Sequence, residues 1–125
     1  MKTAKPEKKI SHILRMLGQP TRVHILLAIG EGEACVCHLE SLLGQRQAYI
    51  SQHLMALRKE NILDTRREGR FIFYSLRDPR ILDLIYSAAE VVGVSELEDN
   101  LEDWAATEQT CVCPHCEHET SPLTT

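Results

Sequence analysis

No cysteine occurs in residues 1–34, no lysine or arginine after residue 80, and aromatic side chains make up only 5% of the chain. Long apolar stretches are missing as well. The longest plain apolar run, Ile25 to Ile29, is far shorter than the roughly 20 residues a helix needs to span a bilayer. No apolar segment follows the opening MKTAKPEKK, so a secretory leader is not expected, and the reading is of a cytoplasmic protein with no membrane partner. Paired carboxylates and nucleophile–base motifs do not stand out, which argues against an enzyme. A Cys113–Cys116 CxxC pair is present, but without the βαβ framework in which that motif exchanges disulfides.

What is present is unevenly distributed. The 125 residues carry a formal charge of −4, yet residues 1–80 hold all 14 Lys and Arg beside 8 of the 18 acids, a balance of +6. The other 10 acids follow, unopposed. A positive body with an acidic end is compatible with phosphate binding, because the local field and not the total charge decides it. The five cysteines fall into two clusters, Cys35 with Cys37, and Cys111, Cys113 and Cys116. In a reducing compartment such clusters suggest metal or redox chemistry in preference to structural disulfides.

Periodicity predicts five helices and one hairpin. Residues 1–9 read as a loose polar arm. Ile10, Ile13, Leu14 and Leu17 form a helical stripe ended by Gly18, and Pro20 opens a second helix reaching Ile29. A short third helix is expected from Val36 to Leu43. After Gly44 comes a fourth from Gln47 to Glu60, with Ile50, Leu54 and Leu57 on its inner side. Segments 62–67 and 70–76 read as strands around Glu68-Gly69. Asp78-Pro79 opens a fifth helix, whose apolar surface from Ile81 to Val92 is broad enough for a subunit interface as well as a core. Ser95 and Glu98 resemble a capping box for a further acidic helix to about Ala106. The expected division is a DNA-binding and dimerisation domain over 1–93 and an acidic, cysteine-rich tail over 94–125. The expected fold is mainly α with a small β-hairpin, a dimeric winged helix-turn-helix.

In that arrangement the fourth helix enters the major groove. Gln47, Ser51 and Gln52 are the expected base-reading residues, with Tyr49 and His53 as further base or sugar contacts. Arg46, Arg58 and Lys59 are placed to neutralise phosphates, and Arg66, Arg67 and Arg70 surround the wing. Two side chains at i and i+2 diverge by about 200° inside a regular helix. At a helix N-terminus, however, Cys35 and Cys37 are free to converge, and the helix dipole favours their thiolates. Thiolates select soft ions, so As(III), Sb(III), Cd(II), Pb(II) and Zn(II) are all admissible.

The run LGQPTRVHILLAIGEGEACVCHLESLLGQRQAYISQHLMALRKENILDTRREGRFIFYSL resembles the core of the ArsR/SmtB metalloregulatory repressors. The resemblance is carried by Pro20-Thr21-Arg22, by Cys35-Val36-Cys37-x-Leu39, by Ile50-Ser51-Gln52-His53-Leu54 and by Arg66-Arg67-Glu68-Gly69-Arg70, and it extends over about residues 8–92. It implies a homodimer that occupies an inverted-repeat operator in double-stranded DNA when metal-free and leaves it when an inducer binds. The simplest arsenic-sensing pattern of the family has a third cysteine where this chain has Glu40. A three-thiolate site for As(III) or Sb(III) therefore draws on Cys111, Cys113 or Cys116, with His115 and His118 alongside. The family's zinc site on the last helix is discounted, since that helix has Asp83 and Glu90 but no histidine. Two alternatives remain open: a Cd(II), Pb(II) or Zn(II) sensor, and a repressor whose thiols sense oxidants or persulfides.

Overall fold

The computed structural model describes residues 5–94. Five helices surround a small sheet in the order α1 (Pro6–Leu17), α2 (Pro20–Ile29), β1 (Ala34–Cys35), α3 (Val36–Leu43), α4 (Gln47–Lys59), β2 (Leu63–Glu68), β3 (Phe71–Leu76) and α5 (Arg80–Val91). Both α1 and α2 begin on proline after an extended residue, Lys5 and Gln19. Proline suits that position because its φ is preset and its missing N–H would have had no intrahelical acceptor. Helix α1 consequently starts within the stretch expected to be a loose arm, with Glu7 in its first turn and Arg15 in its last.

Helix α3 stops at Gly44, which takes φ +66° and returns its N–H to the Glu40 carbonyl. A side chain is strained there, so the glycine fixes the sharp turn into α4. Ile50, Leu54 and Leu57 then fall within one stripe of α4, and all three are sealed from water. Burying one such side chain contributes roughly 1.5–3 kcal/mol. Around them lie Leu17 of α1, Ile25 and Leu26 of α2, Leu39 of α3, Leu63 of β2, and Ile81, Leu82 and Ile85 of α5.

The sheet is antiparallel with strand order β1-β3-β2. A two-residue loop, Gly69-Arg70, joins β2 to β3, and Gly69 supplies the positive φ of +59° that such a hairpin needs. Phe73 is sealed on one face with Cys35, while Ile72 and Tyr74 pack on the main core. Strand β3 thus divides its aromatic residues between two faces. Strand β1 was not expected. It is two residues long, too short to show alternation, and is visible only through its pairing of Ala34 with Tyr74 and Cys35 with Phe73. Ahead of α5, Asp78 accepts from the Arg80 N–H and guanidinium, and these bonds hold its carboxyl down at about 2.

Candidate nucleic-acid interface and thiol pair

Turning the Ile50, Leu54 and Leu57 stripe inward leaves the opposite side of α4 in solvent. Arg46, Gln47, Tyr49, Gln52, Arg58 and Lys59 are exposed, and Ser51 is half-buried at the margin. Expected DNA contacts and core anchors therefore occupy opposite sides of one helix, with one exception. His53 was expected to face DNA but is only 8% exposed. At 100° per residue it stands about 40° from Leu57 on the helical wheel, beside the buried stripe and not across from it.

His53 faces α2, where the Arg22 Nε–H donates to its Nδ1 at 3.0 Å. That bond places the ring proton on Nε2, which has no hydrogen-bond partner among the described residues. Arg22 also donates to the Met16 carbonyl at 3.1 Å, tying α1 and α2 to α4. Burial, and secondarily the Arg22 charge, push the His53 imidazole below its ordinary pKa. Tyr49 sits edge-on to His53 with ring centroids 4.7 Å apart, its hydroxyl 3.2 Å from Thr21 Oγ1, yet it keeps 42% exposure. Thr21 and Arg22 were not foreseen as positioning residues. The signal that finds them is the buried side of α4, not a motif.

The wing arginines separate into two kinds. Arg67 and Arg70 are exposed near the hairpin tip, and Arg70 lies 5.3 Å from the Phe71 ring centroid. Arg66 was grouped with them as a backbone contact, but its guanidinium is engaged within the protein. Nε and Nη2 each donate to a Glu33 oxygen at 2.9 Å, Nη1 donates to Glu68 at 3.2 Å, and the group lies 4.7 Å over the Phe73 ring. The bonds to Glu33 and then Glu68 raise its pKa further above the physiological range.

Cys35 ends β1 and is the N-cap of α3, with extended backbone and an Sγ that accepts from the His38 N–H at 3.4 Å. Because Cys35 is outside the helix and Cys37 inside it, the two side chains are not held 200° apart. Their sulfurs lie 2.9 Å from each other. Cys35 is buried and Cys37 half-buried, against Phe73 and Phe71. Among the described residues no three His, Cys, Asp or Glu side chains gather into a further ligand group. Cys111, Cys113 and Cys116, with the acidic segment from Ser95 to Ala106, lie outside the described residues.

An apolar groove of about 370 Å³ runs between α1 and α5, lined by Leu14, Leu17, Val23, Leu84, Ala88 and Val92 among others. Leu14 and Leu84 are 54% and 43% exposed. No helix of the described residues is long and apolar enough to cross a membrane.

The model of the bacterial regulatory protein, arsR family, matches residues 19–65, from the start of α2 into β2. An uncharacterised HTH-type transcriptional regulator of Methanocaldococcus jannaschii is 38% identical over 79 residues, covering 62% of this chain and 89% of its own. The arsenical resistance operon repressor of Escherichia coli is 40% identical over 65 residues, 51% of this chain and 56% of its own. The crystal structure of the transcriptional repressor BigR from Xylella fastidiosa superposes with a TM-score of 0.63 at 30% identity, over 68% of this chain and 87% of that one.

Proposed function

The chain belongs to the arsR family of bacterial regulatory proteins, DNA-binding transcriptional regulators and not enzymes, and we propose that it is a homodimeric repressor released from its operator by As(III) or Sb(III). The observation that carries the inducer assignment is the 2.9 Å approach of the Cys35 and Cys37 sulfurs at the entry to α3. Two converged cysteine sulfurs at a helix N-terminus, once both are reduced, suit a soft, thiophilic ion. Similarity to an arsenical resistance repressor points the same way. With arsenite, each As–S bond forms as one thiol proton leaves with one arsenic-bound hydroxide as water. Three such exchanges complete the site, and the third sulfur comes from Cys111, Cys113 or Cys116.

On the DNA side, Gln47, Ser51 and Gln52 read bases, Tyr49 lies beside them, and Arg46, Arg58, Lys59, Arg67 and Arg70 neutralise phosphates. The α1–α5 groove is the dimer seam. A second copy supplies the apolar surface its exposed leucines lack, and it places two reading helices on an inverted repeat.

The test is random-site selection with the full chain, followed by operator titration with and without arsenite and by X-ray absorption of the arsenic-bound protein. An inverted repeat, an As–S₃ signature and loss of both release and that signature in Cys35→Ser support the reading. Selection of no sequence preference overturns the DNA assignment. Release by Cd(II) or polysulfide but not by arsenite overturns the inducer assignment.

A further inference from the structure

Among the described residues, all but two of the large apolar side chains left in solvent lie on α1, on α5 or just after α5. The other two, Tyr49 and Met55, are on α4, and Met55 is 67% exposed. An isolated exposed methionine is ordinary, but the direction of this one is not. At 100° per residue, Ala48, Gln52, Met55 and Lys59 fall within about 30° of the direction opposite the mean of Ile50, His53, Leu54 and Leu57. All of the first four are exposed and all of the second four are buried. Ser51 and Gln47 stand about 70° and 110° from that outward direction. Met55, which was not among the expected DNA contacts, is therefore nearer the middle of the outer face of α4 than two of the residues assigned to bases.

We infer that Met55 is a specificity-determining residue that reads the C5-methyl group of a thymine in the operator half-site. The inference rests on the proposed DNA reading and adds the base that this part of α4 discriminates. Ala48, Ser51, Gln52 and Met55 follow one another at i, i+3, i+4 and i+7. They form one row along the helix over about 10 Å, the length of roughly three base pairs. In the major groove the base edges offer hydrogen-bond donors and acceptors, and thymine adds a methyl group that only an apolar side chain matches. Gln52, one turn before Met55, has the amide that suits adenine in the same groove. The unbranched thioether of methionine reaches further than the side chain of Ala48 or Ser51 and adapts to the shape it meets. The neighbouring charges favour DNA over an apolar protein surface as the occupant. Arg58 and Lys59, three and four residues beyond Met55, are exposed beside it. Covering Met55 with an apolar surface would strip water from both cations. A duplex meets the thioether with a methyl group and the cations with phosphates.

The test uses the full chain under reducing conditions and the operator obtained by random-site selection. Each thymine of one half-site is replaced in turn by deoxyuridine, which removes the methyl group and keeps the hydrogen-bonding edge. Affinity is measured for the wild type, Met55→Leu and Met55→Ala. Met55 is outside both core clusters, so both variants are expected to keep the wild-type Tm. At one thymine the wild type is expected to lose about fourfold, the worth of one buried methyl group, Met55→Leu a similar factor, and Met55→Ala less than about 1.5-fold. Met55→Ala should also weaken binding to the unmodified operator and leave binding to random DNA unchanged. A protein that prefers its operator but is indifferent to every thymine methyl overturns this inference and leaves the DNA reading in place. A methyl effect of undiminished size in Met55→Ala also overturns it, since the contact then belongs to another residue or to the stiffness of the duplex. Selection that returns no sequence preference overturns the DNA reading and this inference with it.

Discussion

The Arg22–His53 contact turns the reading helix into an element whose anchorage depends on pH, and the dependence has a calculable ceiling. His53 is buried, and its imidazole and that of His24 are both held below the ordinary value of 6.5 by burial, with Arg22 adding to the effect at His53. A depressed folded-state pKa means that the unfolded chain takes up its proton first as pH falls. The stabilisation is therefore complete above pH 6.5 and is lost as pH drops toward the folded value. Between pH 7.5 and 5.5 one histidine that stays neutral in the fold withdraws at most about 1.4 kcal/mol, and two withdraw at most about 2.7 kcal/mol. For a domain of this size, 1.4 kcal/mol corresponds to roughly 5–10 °C in Tm. His53→Gln keeps an oxygen acceptor for Arg22 and removes the titration. Melting curves of the full chain at pH 7.5, 6.5 and 5.5, at one protein concentration and under reducing conditions, compare wild type with His53→Gln. The variant is expected to lose several degrees less than the wild type on acidification. Operator affinity should parallel this, because protonating His53 sets it against the Arg22 charge and loosens α4 from α2. Equal acid sensitivity in the two proteins would refute the claim that a neutral, buried His53 anchors the helix.

Other outcomes follow from the remaining surfaces. Ser51→Ala or Gln47→Ala should cost about 1–3 kcal/mol on the selected operator and little on random DNA, whereas Arg67→Ala should weaken both and lower the salt slope by about 1; competition binding at several salt concentrations separates them. Leu84→Glu places a charge on the rim of the α1–α5 groove and should give monomers with weak operator binding, read by sedimentation velocity beside a wild type that sediments as a dimer. Removing residues 107–125 should preserve repression and blunt release by arsenite. A truncated protein that binds arsenite through three sulfurs and leaves DNA as readily as the full chain contradicts the role given to the tail cysteines.

The parts of the fold written in local chemistry were legible before any coordinates. Pro20 and Gly44 punctuate the helices by backbone geometry alone, and α2 and α3 begin and end where those residues and the apolar period place them. The inner stripe of α4 was equally plain, because burial of Ile50, Leu54 and Leu57 follows from their spacing. His53 was expected among the DNA contacts of the reading helix, but it is buried. Its angle on the helical wheel, beside Leu57, already put it at the buried side. Arg66 shows a different limit. Nothing local distinguishes it from Arg67; what does is Glu33, thirty-three residues earlier, reached only because a two-residue strand carries that segment to the sheet.

Cys35 shows why local and long-range information have to be combined at the candidate site. Its position just before a helix was enough to allow it and Cys37 to converge, because a cap residue escapes the 100° step that separates helical neighbours. The capping bond to His38 and the 2.9 Å sulfur approach are the local consequence. That the same residue is also a rung of the wing sheet, opposite Phe73, has no local signature. One side chain therefore belongs to two elements at once, α3 leading into the reading helix and β3 leading into the wing.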